Sequence, residues 1–141
     1  MSQKDLKTLI EETRTCYDSI GRVYSKILNS YVHFTAEGKV HLIYKANRKK
    51  RPIQEQRYKL TLFPLVIPVL KHATTIEAWR FPDTPEEEDV QFYAVACPVG
   101  KSKVPVRVIV KRTGDGQMNY HSVMKHENHN RSKKPRTKQG S

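Results

Sequence analysis

The segment from Val104 to Lys125 constrains the fold of this chain more than any other stretch. In its first half valine alternates with proline, arginine, isoleucine and lysine, the period of two that is typical of a strand with one apolar face. The turn sequence Thr113-Gly-Asp-Gly116 follows, and its glycines tolerate the positive φ that tight hairpins need. The segment therefore predicts a β-hairpin with strands over residues 104–112 and 118–125.

Two further strands are predicted immediately before this hairpin. Residues 75–81 and 90–99 alternate in the same way, and the acidic, proline-containing sequence PDTPEEED separates them as a loop. Taken in order, the strands predict a four-stranded antiparallel meander. Because the residues before position 75 have helical spacing instead, we expect an α+β fold with two to three N-terminal helices packed on one face of the sheet.

The first two predicted helices differ in character. Apolar residues recur at spacings of three and four over residues 3–30, the stripe of an amphipathic helix that packs on the domain, with Gly21 as a position where it bends. Thr35 offers an N-cap for a strongly basic helix over residues 36–51, which Pro52 would end. The basic character of the sequence is therefore concentrated on one predicted element.

The most apolar stretch, RYKLTLFPLVIPVLKHA, precedes the first predicted strand. Pro64 suits the first turn of a helix, which predicts a short buried helix over residues 64–72 that Pro68 kinks or interrupts. A strand over residues 59–63 is the competing interpretation of the first part of this stretch.

The charge of the chain favours a polyanionic partner. Lysine and arginine number 26 against 14 acidic residues, which gives a net charge of +12. Five of the cations fall within residues 126–141, a segment with almost no apolar residue that is predicted to be disordered until it binds a partner. Without them the charge is still about +7 (12 − 5), so residues 1–125, predicted to form a single domain, are basic themselves. Nucleic acid or an acidic protein is the expected partner.

Cysteine content and hydropathy bear on location. Cys16 and Cys97 are far apart and have no second cysteine nearby, a pattern typical of buried thiols rather than of a disulfide or a metal site. The N-terminus lacks the apolar run of a signal peptide, and no apolar segment is long enough to cross a bilayer. We therefore expect a cytoplasmic protein without a membrane partner, which a larger carrier could deliver elsewhere.

His41 is the first candidate for chemistry. On the predicted basic helix it shares a face with Lys45 and Arg48, at positions i+4 and i+7. A neutral imidazole can take the proton of an RNA 2′-hydroxyl, while adjacent cations hold the phosphate and stabilise its growing charge. The same pattern also occurs on basic surfaces that bind nucleic acid without catalysis, so both interpretations stay open.

Ser122 and His121 on the last strand are candidates as well. Neighbours in a regular strand point to opposite faces, so the two could serve one site only if a bulge intervened. A zinc site built from His121, His126 and His129 fits no compact set of ligands, and we predict no metal and no cofactor. The sequence also lacks a glycine-rich phosphate loop, a Gly-x-Ser-x-Gly elbow and a CxxC motif, which argues against nucleotide hydrolysis, esterase and thiol-redox chemistry.

The order of these features resembles a known family. A histidine-bearing basic helix, an antiparallel sheet and a hydroxyl residue on the last strand are similar to the barnase/EndoU/colicin/RelE-like superfamily of small ribonucleases, in particular to its phage-associated and polymorphic-toxin branches. The resemblance runs from KVHLIYKANRKKRPIQ through LFPLVIPVLKHATTIEAWRF to PVRVIVKRTGDGQMNYHSVM, about 85 residues. It implies metal-independent cleavage of RNA by attack of the 2′-hydroxyl on the adjacent phosphodiester, which leaves a cyclic phosphate.

The resemblance also implies roles for individual residues. His41, Lys45 and Ser122 would be catalytic. The residues expected to hold the substrate are Arg48, Lys49, Arg80, Arg107, Lys111, Tyr120 and His121, with Tyr120 stacking on a base. The implied partners are RNA, with tRNA as one candidate, and an acidic immunity or antitoxin protein that covers the basic face. A non-catalytic nucleic-acid-binding module, and an interaction domain that docks an acidic protein on its first helix, remain the alternatives.

Overall fold

A computed structural model describes residues 5–45, 48–81, 87–99 and 105–125, and the predicted tail over residues 126–141 lies outside these ranges. In chain order the elements are α1 (Leu6–Ile20), β1 (Arg22–Ser25), β2 (Ser30–His33), α2 (Ala36–Val40), α3 (Ile53–Leu62), α4 (Val66–His72), β3 (Thr75–Trp79), β4 (Val90–Pro98), β5 (Pro105–Thr113) and β6 (Met118–Lys125). A 3-10 turn, Phe63–Leu65, joins α3 to α4. The fold is α+β, as the sequence predicts.

The strands of the described residues form one sheet in the order β1-β2-β6-β5-β4-β3. Strands β3 to β6 are antiparallel neighbours. β2 instead runs parallel to β6, through the pairs Val32–Met118 and His33–Asn119. The predicted sheet of four antiparallel strands is therefore wrong in detail, because a hairpin from the N-terminal region adds two strands and makes the sheet mixed.

The long helix predicted over residues 3–30 ends at Ile20. Asp5 caps its start, since the carboxylate accepts a hydrogen bond from the N–H of Thr8 at 2.8 Å. Gly21 follows the last turn with a φ of 71°, a conformation that suits glycine and stops the helix. The glycine that was expected to bend the helix therefore terminates it.

The residues after this glycine form the β1–β2 hairpin. Val23 and Ser25 are buried, whereas Arg22 and Tyr24 are exposed, so the segment follows a period of two. Asn29, with a φ of 53°, lies in the connecting turn. The helical prediction failed here because the apolar positions fit both periods.

The basic helix predicted over residues 36–51 is wrong beyond Val40. Thr35 is the N-cap residue of α2, as expected, but the helix has only five residues. The chain then turns back, with the N–H of Lys45 bonded to the carbonyl of Lys49 at 2.8 Å and with Arg48 at a φ of 69°. Like charges at helical spacing repel one another, which disfavours a helix that would stack these cations.

The apolar stretch before the sheet is helical throughout. The strand considered over residues 59–63 is wrong, because these residues lie in α3 and at the start of the 3-10 turn. The helix predicted over residues 64–72 is present as that turn and α4. Pro68 lies in the first turn of α4, where its missing N–H removes no intrahelical hydrogen bond.

The centre of the core lies where α4 packs on the sheet. Val66, Val69 and Leu70 have no solvent exposure and form one cluster with inward valines of β4 and β5. An aromatic group extends this core, and its rings contact one another. Its members are Tyr17, Phe34, Phe63 and Tyr120.

α3 covers part of the β6 edge that β2 leaves open. Nζ of Lys59 donates to the carbonyl oxygen of Val123 at 2.7 Å, and the N–H of Lys125 donates to the hydroxyl of Tyr58 at 2.7 Å. These bonds satisfy edge groups that could otherwise pair with another chain. They also hold a lysine of α3 against the strand that carries His121 and Ser122.

Both cysteines are free thiols. Cys97 is buried, as expected, but Cys16 is exposed, because it lies on the outer side of α1. Within the described ranges, no helix is long and apolar enough to cross a membrane.

Candidate active site

His41 and His121 lie side by side although they are far apart in sequence. His41 is the C-cap residue of α2, and His121 belongs to β6. Their imidazole rings are 4.5 Å apart between centroids and are tilted by 50°. The predicted catalytic histidine is thus adjacent to His121, which was expected to hold the substrate.

A β-bulge occurs at His121. Ser122 pairs with Ile109 and Tyr120 pairs with Val110, so no residue of β5 lies opposite His121. The alternation of β6 is interrupted at this point. This is the irregularity that the sequence analysis required before both His121 and Ser122 could serve one site.

The bulge places the two side chains on one face of the sheet. Ser122 is opposite Ile109, which shares a face with Lys111 and therefore with Phe92, the partner of Lys111 in β4. The ring of His121 contacts Phe92 on that face, at 4.9 Å between centroids. This face lies opposite the one that packs on α4.

Glu37 connects His41 to Lys111. Its Oε2 atom is 3.0 Å from Nζ of Lys111 and 3.8 Å from Nε2 of His41. Burial acts to raise the pKa of Glu37, but the hydrogen bond and the charge of Lys111 outweigh it and hold the pKa below its usual value. The carboxylate is therefore ionised at neutral pH and can orient the imidazole of His41.

Both imidazoles are neutral at pH 7. Burial, with the positive charges of Arg51 and Lys111, lowers the pKa of His41 although Glu37 opposes the shift. Burial is also the main cause that lowers the pKa of His121 to about 3. A neutral imidazole carries a free lone pair, which is what a proton acceptor needs.

An open pocket adjoins His41. Its volume is about 580 Å³, and the lining residues are Glu37, Val40, His41, Tyr44, Lys45 and Arg48. Lys45 and Arg48 therefore accompany His41 as the sequence predicts, although a tight turn rather than a helix face brings them together. Two cations beside a histidine can hold a phosphate next to a group that accepts a proton.

Lys59 of α3 binds Ser122, which follows His121 in β6. Its Nζ donates to Oγ of Ser122 at 2.9 Å, and both side chains are buried. Burial, with the charge of Arg51, lowers the pKa of Lys59 to about 8. The ammonium is thus still protonated at neutral pH, and because it donates to Oγ, the hydroxyl proton of Ser122 is left to donate elsewhere.

Arg51 fixes the loop that carries His41. Its Nε donates to the carbonyl oxygen of His41 at 2.9 Å, and its backbone N–H donates to the carbonyl of Ile43 at 2.8 Å. Its Nη1 forms an ion pair with Glu55 of α3. The loop is therefore anchored to the helix that also supplies Lys59.

The other predicted substrate contacts lie in different surroundings. Tyr120 is 2% exposed and stacks on Phe34 in the core, so the predicted stacking on a base is wrong. Arg107 is 5% exposed with its guanidinium 4.3 Å from the ring of Trp79, a place in the sheet rather than on an open surface. Lys49 and Arg80 are exposed at the surface.

Sequence reasoning missed Glu37 and Lys59. Glu37 precedes His41 by four positions, the spacing at which side chains meet on a helix, and that signal was available. Lys59 lies three residues after buried Gln56 in a helical stripe of buried positions, an unusual place for a lysine. A charged residue inside such a stripe is the signal that could have identified it.

Comparison with known proteins gives no match: no family model, no curated protein and no solved structure matches the chain. The resemblance to small ribonucleases therefore stays a prediction. Function has to be inferred from the arrangement of the site itself.

Proposed function

We propose that this protein is an endoribonuclease that cleaves RNA without a metal ion, by attack of the 2′-hydroxyl on the adjacent phosphodiester. The observation that carries the proposal is the contact between His41 and His121 beside Glu37, Lys111 and the cationic pocket. Acid–base groups and cations in one open site are what this reaction needs.

His41 is the general base of the proposed reaction. It lines the pocket, its side chain retains 14% exposure, and it is neutral at pH 7. Glu37, within 3.8 Å of Nε2, orients the ring and stabilises the imidazolium that forms when the proton arrives. The pairing of Glu37 with Lys111 keeps this carboxylate in place.

Cations and a hydroxyl stabilise the pentacoordinate phosphate. Lys45 and Arg48 line the pocket from the side of the loop. Lys59 polarises the hydroxyl of Ser122, which makes it a stronger donor to a phosphate oxygen. These groups act where negative charge grows, so they favour the transition state over the bound substrate.

The proton balance of the step is simple. The 2′-oxygen bonds to phosphorus as its proton passes to His41, and the bond from phosphorus to the 5′-oxygen breaks. The 5′-oxygen takes up a proton, for which the Ser122–Lys59 pair offers a route. The products are a 2′,3′-cyclic phosphate and a free 5′-hydroxyl.

The test is cleavage of total RNA by the full chain in EDTA. We expect discrete fragments, and His41→Gln should lower the rate by roughly 100- to 10,000-fold while RNA binding is retained. His72→Gln, at the exposed C-terminal end of α4, is the matched control and should cleave normally. RNA binding without cleavage would instead support a nucleic-acid-binding module. If the protein neither bound nor cleaved RNA, the alternative of an interaction domain for an acidic protein would be favoured.

A further inference from the structure

The two histidines and Glu37 also form a set of metal ligands. Each residue offers one ligand atom, and the three atoms lie within 4.8 Å of one another. We propose that Glu37, His41 and His121 bind Zn²⁺, and that the bound ion inhibits the proposed ribonuclease. The inhibition rests on the proposed function, whereas the binding of the ion does not.

One pair of the set is already close to the separation that a zinc site requires. Zinc binds imidazole nitrogen and carboxylate oxygen at about 2.0–2.2 Å, so ligand atoms around a tetrahedral ion lie about 3.4 Å apart. The distance from Nε2 of His41 to Oε2 of Glu37 is 3.8 Å. A shift of a few tenths of an ångström brings this pair to that separation, and the Glu37 side chain, 56% exposed, has room to make it once its bond to Lys111 opens.

Two of the ligands are held in place by their surroundings. The ring of His121 packs against Phe81 and Phe92, at 5.4 and 4.9 Å between centroids. The backbone of His41 is fixed by the bond from Arg51. Because the two histidines are held, the main rearrangement on binding is that of the exposed carboxylate of Glu37, which reduces the ordering that binding requires.

The fourth coordination position is accessible from solvent. Glu37 and His41 line the open pocket that also contains Lys45 and Arg48. One carboxylate and two neutral imidazoles leave a bound Zn²⁺ with a net charge of +1, and these cations add to it. Hydroxide, chloride or a phosphate oxygen therefore suits the open position better than neutral water.

Lys111 competes with the ion. Its ammonium lies 3.0 Å from Oε2 of Glu37, and this bond has to open before the carboxylate binds zinc. Its charge also repels the cation. Zinc affinity should therefore increase when Lys111 is replaced, a dependence that a chance surface site would not have.

Zinc bound here prevents the proposed chemistry. Zinc bound at Nε2 of His41 would keep the proton of the neutral ring on Nδ1, so neither nitrogen could accept the 2′-hydroxyl proton. The carboxylate of Glu37 would no longer orient the ring or pair with Lys111. Inhibition should therefore follow occupancy of the site and be reversed by a chelator.

The binding test is a calorimetric titration of the full chain with ZnCl₂. All proteins carry His126→Ala and His129→Ala, so that these two histidines contribute no ligand. We expect Glu37→Gln to weaken binding on the order of 10- to 100-fold, since it removes a ligand from an exposed position without risk to the fold. Lys111→Met should tighten binding several-fold.

Lys39→Met is the matched control, because Lys39 lies on α2, as Glu37 does, but forms its ion pair with Asp18 of α1. Its zinc affinity should equal that of the protein that carries only His126→Ala and His129→Ala. Equal affinities in Glu37→Gln, Lys111→Met and this control would overturn the proposed site. His121→Asn, checked for folding by circular dichroism, should weaken binding as Glu37→Gln does, and undiminished binding there would also overturn the site.

Cleavage assays separate this inference from the proposed function. Loss of RNA cleavage as zinc occupies the site supports both, and full cleavage at saturating zinc overturns the inhibition. Zinc binding without any RNA cleavage in EDTA supports the metal site and overturns the ribonuclease. Cleavage that requires zinc would support the site and overturn both the inhibition and the metal-independent reaction.

Discussion

Nζ of Lys59 lies 2.9 Å from Oγ of Ser122, at the point where α3 meets β6. The same ammonium donates to the carbonyl of Val123. One buried lysine therefore satisfies the strand edge and supports the hydroxyl that we place in the active site. Its charge is costly in this position, since burial lowers its pKa to about 8.

This lysine makes the stability of the protein depend on pH. The pKa of Lys59 is near 10.5 in the unfolded chain and about 8 in the folded protein. Between these values the unfolded state binds more protons, so the contribution of Lys59 to the free energy of unfolding rises with pH. The rise is on the order of 3 kcal/mol over the whole interval and is absent below about pH 8.

Urea denaturation at pH 7.5, 8.5 and 9.5 checks this prediction against Lys59→Met. The difference in the free energy of unfolding, unsubstituted minus variant, should grow with pH, since methionine cannot titrate. The other titratable groups are the same in both proteins, so their contributions cancel in this difference. A difference that stays constant over this range would contradict the lowered pKa.

Replacing Ser122 by alanine should impair catalysis but not binding. The hydroxyl is placed to donate to a phosphate oxygen in the transition state, and loss of such a donor costs roughly 100- to 1,000-fold in kcat. KM for a short RNA should change little. Ser19→Ala, on the exposed side of α1, is the control and should keep full activity. A rise in KM with kcat unchanged would assign Ser122 to substrate binding instead.

Gly38→Ala should destabilise the protein, although alanine is the better helix former. A Cβ atom at this position would lie 2.5 Å from the hydroxyl oxygen of Tyr17 and 2.6 Å from the carbonyl oxygen of Tyr120. The clash with backbone should cost about 1–3 kcal/mol in the free energy of unfolding. The measurement is urea denaturation.

Ala36→Gly, at an exposed position of the same helix, measures how much helix propensity alone changes the free energy of unfolding. It should cost no more than about 1 kcal/mol, the ordinary difference between the two residues in a helix. A stabilised Gly38→Ala protein would show that α2 can move away from β6, and the position of His41 would then be less fixed than we infer.

The sheet was largely predictable where the sequence has a single period. The alternating valines of residues 104–112 and the Gly-Asp-Gly turn are compatible with a hairpin only, and β5 and β6 have that arrangement. The segment after Gly21 was not predictable, because its apolar residues fit a helix and a strand equally well. The pairing of β1 with β2 and of β2 with β6 decides between them, and the second is a contact between residues distant in sequence.

The active site was predictable in its residue types but not in its geometry. His41 and Ser122 were identified from chemistry and from the family resemblance. The bulge at His121 has no local signal in MNYHSVMK, because it arises from the register between β5 and β6. The buried pair of Lys59 with Ser122 joins residues 63 positions apart, a separation over which periodicity carries no information.

Arg51 should act on catalysis through the position of His41. Its Nε bonds to the carbonyl of His41 at 2.9 Å, and its ion pair with Glu55 ties the loop to α3. In Arg51→Met the loop loses this anchor and the imidazole is less well placed against the 2′-hydroxyl, which should lower kcat by roughly 10- to 100-fold. Arg14→Met, exposed on α1, removes the same charge elsewhere and should lower only the affinity for RNA, and only slightly. Steady-state cleavage of a fluorescent oligoribonucleotide distinguishes the two, because a residue that merely attracts the polyanion would raise KM and leave kcat unchanged.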